Sequence, residues 1–88
     1  MSRMTAYQLN NLAEGVAEQS SDQKDLTQAL RWSERAVKLN KDDLNVRTYV
    51  RLLHRTGARA KAQQYLRDYI AESKDAGKDA SWLEHTLE

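Results

Sequence analysis

Eighty-eight residues set the size of one domain with a thin core, and 40% apolar against 31% charged residues suits a chain that folds rather than one that stays disordered. The absence of cysteine excludes disulfides, thiol nucleophiles and thiolate metal sites, and no apolar run approaches the ~18 to 20 residues of a membrane span, so no membrane partner is expected. The net charge of +1 is unevenly spread: residues 44–67 hold Arg47, Arg51, Arg55, Arg59, Lys61 and Arg67 without a carboxylate, whereas from Asp68 onward the acids outnumber Lys74 and Lys78.

With no proline, three glycines and an abundance of Ala, Leu, Gln, Glu, Lys and Arg, the chain is predicted to be all-α. Thr5-Ala6-Tyr7-Gln8 is a capping box that starts the first helix, whose apolar face holds Leu9, Leu12, Ala13 and Val16. Gly15 inside this helix either permits close helix approach or is simply tolerated. Asp22 is the N-cap of a second helix running through Leu26, Ala29, Leu30, Ser33, Ala36 and Val37 to Leu39, with Asn40 as a left-handed stop. Asp42 and Asp43 suit the positive end of a third helix carrying Val46, Tyr49, Val50, Leu52 and Leu53, which Gly57 ends. A fourth spans Ala58 to about Asp75 with Ala62, Leu66, Tyr69 and Ile70 on one face and Gly77 beyond its end. Asp79 then caps a last short helix in which Trp82, Leu83, Thr86 and Leu87 share one side, too short to persist unless it docks.

Ala29 and Ala62 occupy corresponding places, 33 residues apart, in two helix-turn-helix units. The second unit reads Tyr49, Leu53, Gly57, Ala62, Leu66 and Tyr69-Ile70. The first reads Leu9, Leu12-Ala13 and Val16, then Ala29, Ser33 and Ala36-Val37, and closes on Leu39-Asn40-Lys41-Asp42-Asp43. On these residues, over about 5–75, the chain resembles the tetratricopeptide (TPR) repeat family. It departs from the family pattern in about four extra residues around Ser20 to Lys24, in the lack of closing prolines, in Val50 for a small residue and in Tyr69 for an alanine. The resemblance implies a single α-solenoid domain over 1–88, with repeat one at about 5–41, repeat two at about 42–75 and a capping helix at about 79–88. It also implies a protein-protein interaction scaffold. Leu9-Asn10-Asn11-Leu12-Ala13 is similar, in addition, to the opening of helical repeat segments that follow thioredoxin-like domains in some bacterial envelope proteins. That likeness implies an accessory domain of a larger protein, and without cysteine no redox activity transfers to it.

Arg47, Arg51 and Arg55, four apart on the third helix with His54 alongside, form the main candidate site. The resemblance implies that leading helices line a concave groove, so these residues would face a peptide together with Tyr7, Asn10 and Glu14 of the first helix. Acidic peptide segments or a terminal carboxylate would pair with the arginines. Two other readings stay open: a solvated basic face, and salt bridges across the groove to Glu14 and Glu18. A chaperone-tail clamp is disfavoured, because Asn10, Glu14 and Thr48 stand where that type needs Lys and Asn, and Glu14 would repel a carboxylate.

Nucleic acid is the rival partner for the basic segment. A pI near 8.0 and the apolar spacing of Tyr49 and Tyr65 argue against it. Trp32 and Trp82 read as packing residues, although an exposed Trp32 would mark a contact surface. His54 and His85 lack neighbouring ligands or a nucleophile, so no metal, cofactor or catalytic role is expected and the chain is not read as an enzyme. Two units are fewer than a repeat stack usually needs. Trp82, Leu83 and Leu87 would cover the back of helices three and four while Glu84 and Glu88 face water, or an uncovered face would form a homodimer. The polar start is unlike a signal peptide, so a soluble protein is expected, cytoplasmic by default and periplasmic as part of a longer envelope protein.

Overall fold

The computed structural model describes residues 4–87. Four α-helices, α1 (Ala6–Gln19), α2 (Gln23–Leu39), α3 (Asp43–Arg55) and α4 (Arg59–Asp75), precede a terminal 3-10 helix (Ser81–His85), and no strand occurs among the described residues.

Each boundary has a local cause. The Thr5 capping box forms in full, with Gln8 N donating to Thr5 Oγ1 at 3.1 Å and Thr5 N donating to Gln8 Oε1 at 2.9 Å. Asp22 accepts from Lys24 N at 2.8 Å and Asp42 from Asn45 N at 2.9 Å. Caps of this kind are worth about 1 kcal/mol each. Helices α3 and α4 both end in Schellman geometry: Gly57 (φ +96°) and Gly77 (φ +78°) take up the left-handed conformation, while Ala58 N donates to Leu53 O at 2.9 Å and Lys78 N to Ser73 O at 2.8 Å.

Asn40 ends α2 differently from the expectation. Its φ of −154° is extended, not left-handed, because side chains hold the turn: buried Asn45 donates through Nδ2 to Asn40 O at 2.8 Å, and Asn40 Nδ2 donates to Asp42 at 3.1 Å. The extra residues around Ser20 to Lys24 do not lengthen a loop either. The turns at 20–22 and 56–58 match in length, and the surplus is wound into the first turn of α2.

Consecutive helices pack against one another, α1 also touches α3, and the terminal helix sits on α4, giving a slab of 35 × 32 × 17 Å. The fold is all-α. Ala13, Ala29, Ala36 and Ala62 are all fully buried, letting the helix axes approach. One core cluster joins Ala13, Leu26, Ala29 and Leu52. The larger one gathers Val37, Val46, Tyr49, Val50, Leu53, Ala62, Leu66 and Tyr69, and takes in Ala80 and Leu83 from the C-terminal stretch. Tyr49 and Tyr65 meet edge to face with centroids 5.0 Å apart, so both serve packing. Trp32 is half-buried against the smaller cluster.

Several expectations need correction. Leu12 and Leu39 are exposed, 43% and 58%, since each lies at the margin of its helix's apolar arc. Gly15 permits no close approach: a methyl built there meets nothing within 4 Å. The last helix is a 3-10 turn of five residues, too short for α-helix nucleation to be repaid by packing. Leu83 is fully buried and Leu87 partly so, but Trp82 is half exposed and covers its neighbours only in part. Glu84 faces solvent as expected, and Glu88 lies outside the described residues.

Candidate functional site

Helices α1 and α3 run side by side in a fixed register. Arg51 follows Glu14, and Arg55 follows Glu18, by the same 37 positions, and all four line one crevice with Ala17 and Thr48. The crevice itself holds about 10 Å³, room for roughly one water. A buried small-molecule ligand does not fit there; a segment laid over the groove touches side-chain tips.

Arg55, the last residue of the candidate stripe, already has a task within the fold. Its guanidinium donates from Nη1 to Ala17 O and from Nη2 to Ser20 O at 3.1 Å. These are carbonyls of the last turn of α1, which has no basic residue of its own to cap it. Gln23 Nε2 returns the contact by donating to Arg55 O at 3.5 Å. Arg55 therefore locks the α1–α2 turn onto the end of α3.

Arg47, Arg51 and His54 are half-buried and make no hydrogen bond or ion pair among the described residues. Salt bridges across the groove are likewise absent there: the described ion pairs are Glu34–Lys38 at 3.1 Å and Lys41–Glu72 at 3.0 Å, neither in the crevice. Successive arginines four apart repel by a few tenths of a kcal/mol. The stripe also winds by about 40° per step at 100° per residue, so Arg51 and Arg55 face α1 whereas Arg47 and His54 turn away from it.

The remaining candidates separate. Glu14 is half-buried in the crevice and Tyr7 projects at 74% exposure two turns above it. Asn10 is 6% exposed, and its Oδ1 is a buried acceptor without a partner among the described residues. It lies seven positions, about two helical turns, before Ala17 on the same face of α1. Leaving such an acceptor unsatisfied costs about 1–3 kcal/mol.

A second polar cluster, not anticipated from the sequence, organises the other side of α3. Asp43 accepts from Tyr69 Oη at 2.5 Å and from Trp82 Nε1 at 2.7 Å, joining the start of α3 to α4 and to the terminal helix. Burial together with the Asp43 carboxylate pushes the Tyr69 phenol up to about 12. Beside it, Lys41 Nζ lies 5.4 Å from the Tyr65 ring centroid and 5.9 Å from that of Tyr69. The hydrogen bond to Glu72 raises the Lys41 ammonium above its ordinary value, and burial raises Tyr65. Asp43 had been assigned only to the helix dipole; its two distant donors leave no mark in local sequence.

Two hollows of about 340 and 320 Å³ flank Ile70 and Glu84 where α4 meets the C-terminal stretch. Leu66 and Leu87 line the first, and Lys74, Lys78 and Asp79 rim the second. The Ser81 hydroxyl, together with Ser81 N at 2.9 Å, donates to Asp79 and holds its carboxyl below the usual range. Among the described residues no group of His, Cys, Asp and Glu is placed to hold a metal ion, and no helix is long and apolar enough to cross a membrane.

In comparisons with protein-family models, curated proteins and solved structures, the chain matches none of them.

Proposed function

We propose that this chain is a pair of tetratricopeptide-type repeats with a terminal cap, and that it binds an acidic peptide or protein segment along the groove between α1 and α3. The observation that carries the reading is the state of Arg51: it lines the crevice beside Glu14 and Glu18 yet pairs with neither, as Arg47 one turn earlier also pairs with nothing described. The unpaired guanidinium of Arg51 in the crevice, with that of Arg47 on its outer side one turn earlier, supplies preformed hydrogen-bond donors for carboxylates. The four fully buried alanines at the helix crossings and the side-by-side contact of α1 with α3 support the repeat assignment.

Arg55 takes no part in this recognition, because its donors are occupied by Ala17 and Ser20. The test is therefore the double variant Arg47→Glu with Arg51→Glu, titrated against a fluorescein-labelled acidic peptide by anisotropy, with circular dichroism as the folding control. Loss of binding with an unchanged helical signal is the expected result; unchanged binding moves the site elsewhere.

A second reading is an accessory module that packs on another domain of a longer protein, or on itself. The apolar-floored hollow lined by Leu66, Ile70 and Leu87 favours it. Sedimentation equilibrium over a range of concentrations separates self-association from the monomer.

A further inference from the structure

Three capping side chains recur at one interval: Thr5, Asp42 and Asp79 stand 37 positions apart, and each accepts from a backbone N–H two or three residues on. The apolar residues behind them keep that interval. Leu9, Val46 and Leu83 are buried to 2% exposure or less, and the fully buried Ala13 and Val50 are followed by the partly buried Leu87. By this spacing the terminal stretch occupies the place of a third leading helix after α1 and α3, although only Ser81–His85 is wound, as a 3-10 turn.

Ala80 and Ser81 lie with Lys74 and Lys78 around one hollow, whereas Leu87 lies with Gln63 and Leu66 around the other, so the stretch runs antiparallel to α4. Helix α3 runs antiparallel to α2 in the same way, after a three-residue turn. The two seats are filled differently. Thirteen residues of α3 pack on α2, with Val46, Val50 and Leu53 in the larger core cluster. The terminal stretch puts Leu83 into that cluster and Leu87 at its margin, and leaves about 340 and 320 Å³ open beside Ile70 and Glu84. Around the hollows, α4 and the residues just after it supply Arg67, Lys74 and Lys78, none of them in an ion pair among the described residues. The carboxylates there, Asp79 and Glu84, belong to the terminal stretch itself.

We infer that this face of α4 is the seat of an amphipathic helix from a partner protein, with apolar residues at i, i+4 and i+7 and carboxylates at its edges, and that the terminal stretch is its displaceable resident. That spacing is the one by which Leu9, Ala13 and Val16 of α1, and Val46, Val50 and Leu53 of α3, share a helix face. An incoming helix fills the length of α4 that the terminal stretch leaves open, and its carboxylates replace Asp79 and Glu84 opposite the cations. Displacement gives up the Trp82 bond to Asp43, while the burial lost with Leu83 is restored by the newcomer's own apolar stripe. This seat is the hollow of the second reading above, on which the inference rests, and it is separate from the α1–α3 groove.

The probe is a fluorescein-labelled peptide of residues 42–56 carrying Arg47→Glu, Arg51→Glu and Arg55→Glu. A control peptide keeps those charges and adds Val46→Ser, Val50→Ser and Leu53→Ser, so binding through charge alone, the α1–α3 groove included, is common to both. Anisotropy with the whole chain reports affinity. In a Trp32→Phe chain the unlabelled peptides, which hold no tryptophan, are followed through Trp82 emission. The probe is expected to bind about tenfold tighter than the control and to shift Trp82 emission to the red as the terminal stretch leaves. Trp82→Phe, which removes the hold on Asp43, tightens the probe about fivefold and leaves the control unchanged. Arg67→Glu with Lys74→Glu weakens the probe. These side chains are exposed, and circular dichroism verifies folding. Equal binding of probe and control, or Trp82 emission unmoved at saturating probe, overturns the inference. If in that case sedimentation shows a concentration-dependent dimer that Ile70→Asp abolishes, the hollow serves a second copy, and the second reading stands while the inference falls. A monomer at every concentration that binds neither peptide removes both.

Discussion

The indole of Trp82 donates to the Asp43 carboxylate at 2.7 Å, spanning 39 positions of sequence to hold the C-terminal turn against the start of α3. Asp43 accepts from Tyr69 at the same time, so one exposed-edge carboxylate orders three elements. Asp43→Ala removes both acceptors and is expected to lower stability by about 1 kcal/mol. In a Trp32→Phe background the Trp82 emission shifts to the red and acrylamide quenches it more readily. Unaltered emission and quenching would mean that the terminal helix is held by the apolar contacts of Ala80, Leu83 and Leu87 and not by this bond.

Arg55 offers a contrast with its neighbours on the stripe. Arg55→Ala frees the terminal carbonyls of α1, and the expected loss is about 1 kcal/mol, which for a domain of this size is roughly 4–8 °C in Tm. Arg55→Lys keeps the charge but not the fork that reaches two carbonyls, so its melting temperature falls between the two. A thermal melt by circular dichroism decides it. If Arg55→Ala melts like the wild type, Arg55 is available for a partner after all.

Alkaline pH should loosen the fold through the tyrosine and lysine cluster. The Tyr69 phenol is raised from 10.0 to about 12, so the stability it contributes is fully present below pH 10 and is lost as pH rises through its folded value. Tyr65 and Lys41 are shifted in the same direction and act with the same sign. Urea midpoints measured from neutral pH to about 12 fall across that window, and the fall is shallower in Tyr69→Phe. Parallel profiles for the two proteins would contradict the assignment.

Gly15 lies in the interior of α1 with open space around it and no positive φ. Gly15→Ala therefore gains about 0.5–1 kcal/mol from a more restricted unfolded chain and better helix propensity. Chemical denaturation measures it, and a loss of stability would show that the position is constrained by something outside the described contacts.

Local rules carried the fold a long way. The Thr5 box, the Asp22 cap and the stops at Gly57 and Gly77 depend on residues a few positions apart, and each formed as its pattern implies. Where the expectation failed, long-range partners or competing side chains decided the outcome. Asn45 reached back to Asn40 and made a left-handed turn unnecessary. The Arg47, Arg51 and Arg55 stripe is plain in the sequence, but its division into one structural and two unpaired cations depends on where α1 ends relative to α3.

The central claim, that the α1–α3 groove is the contact surface, is tested most directly by amide nitrogen–proton correlation spectra of the whole chain titrated with an acidic peptide. The predicted result is a set of perturbations confined to the α1 and α3 faces around Tyr7, Glu14, Arg47 and Arg51. Perturbations gathered instead on Leu66, Ile70 and Leu87, or none at saturating peptide, would contradict it.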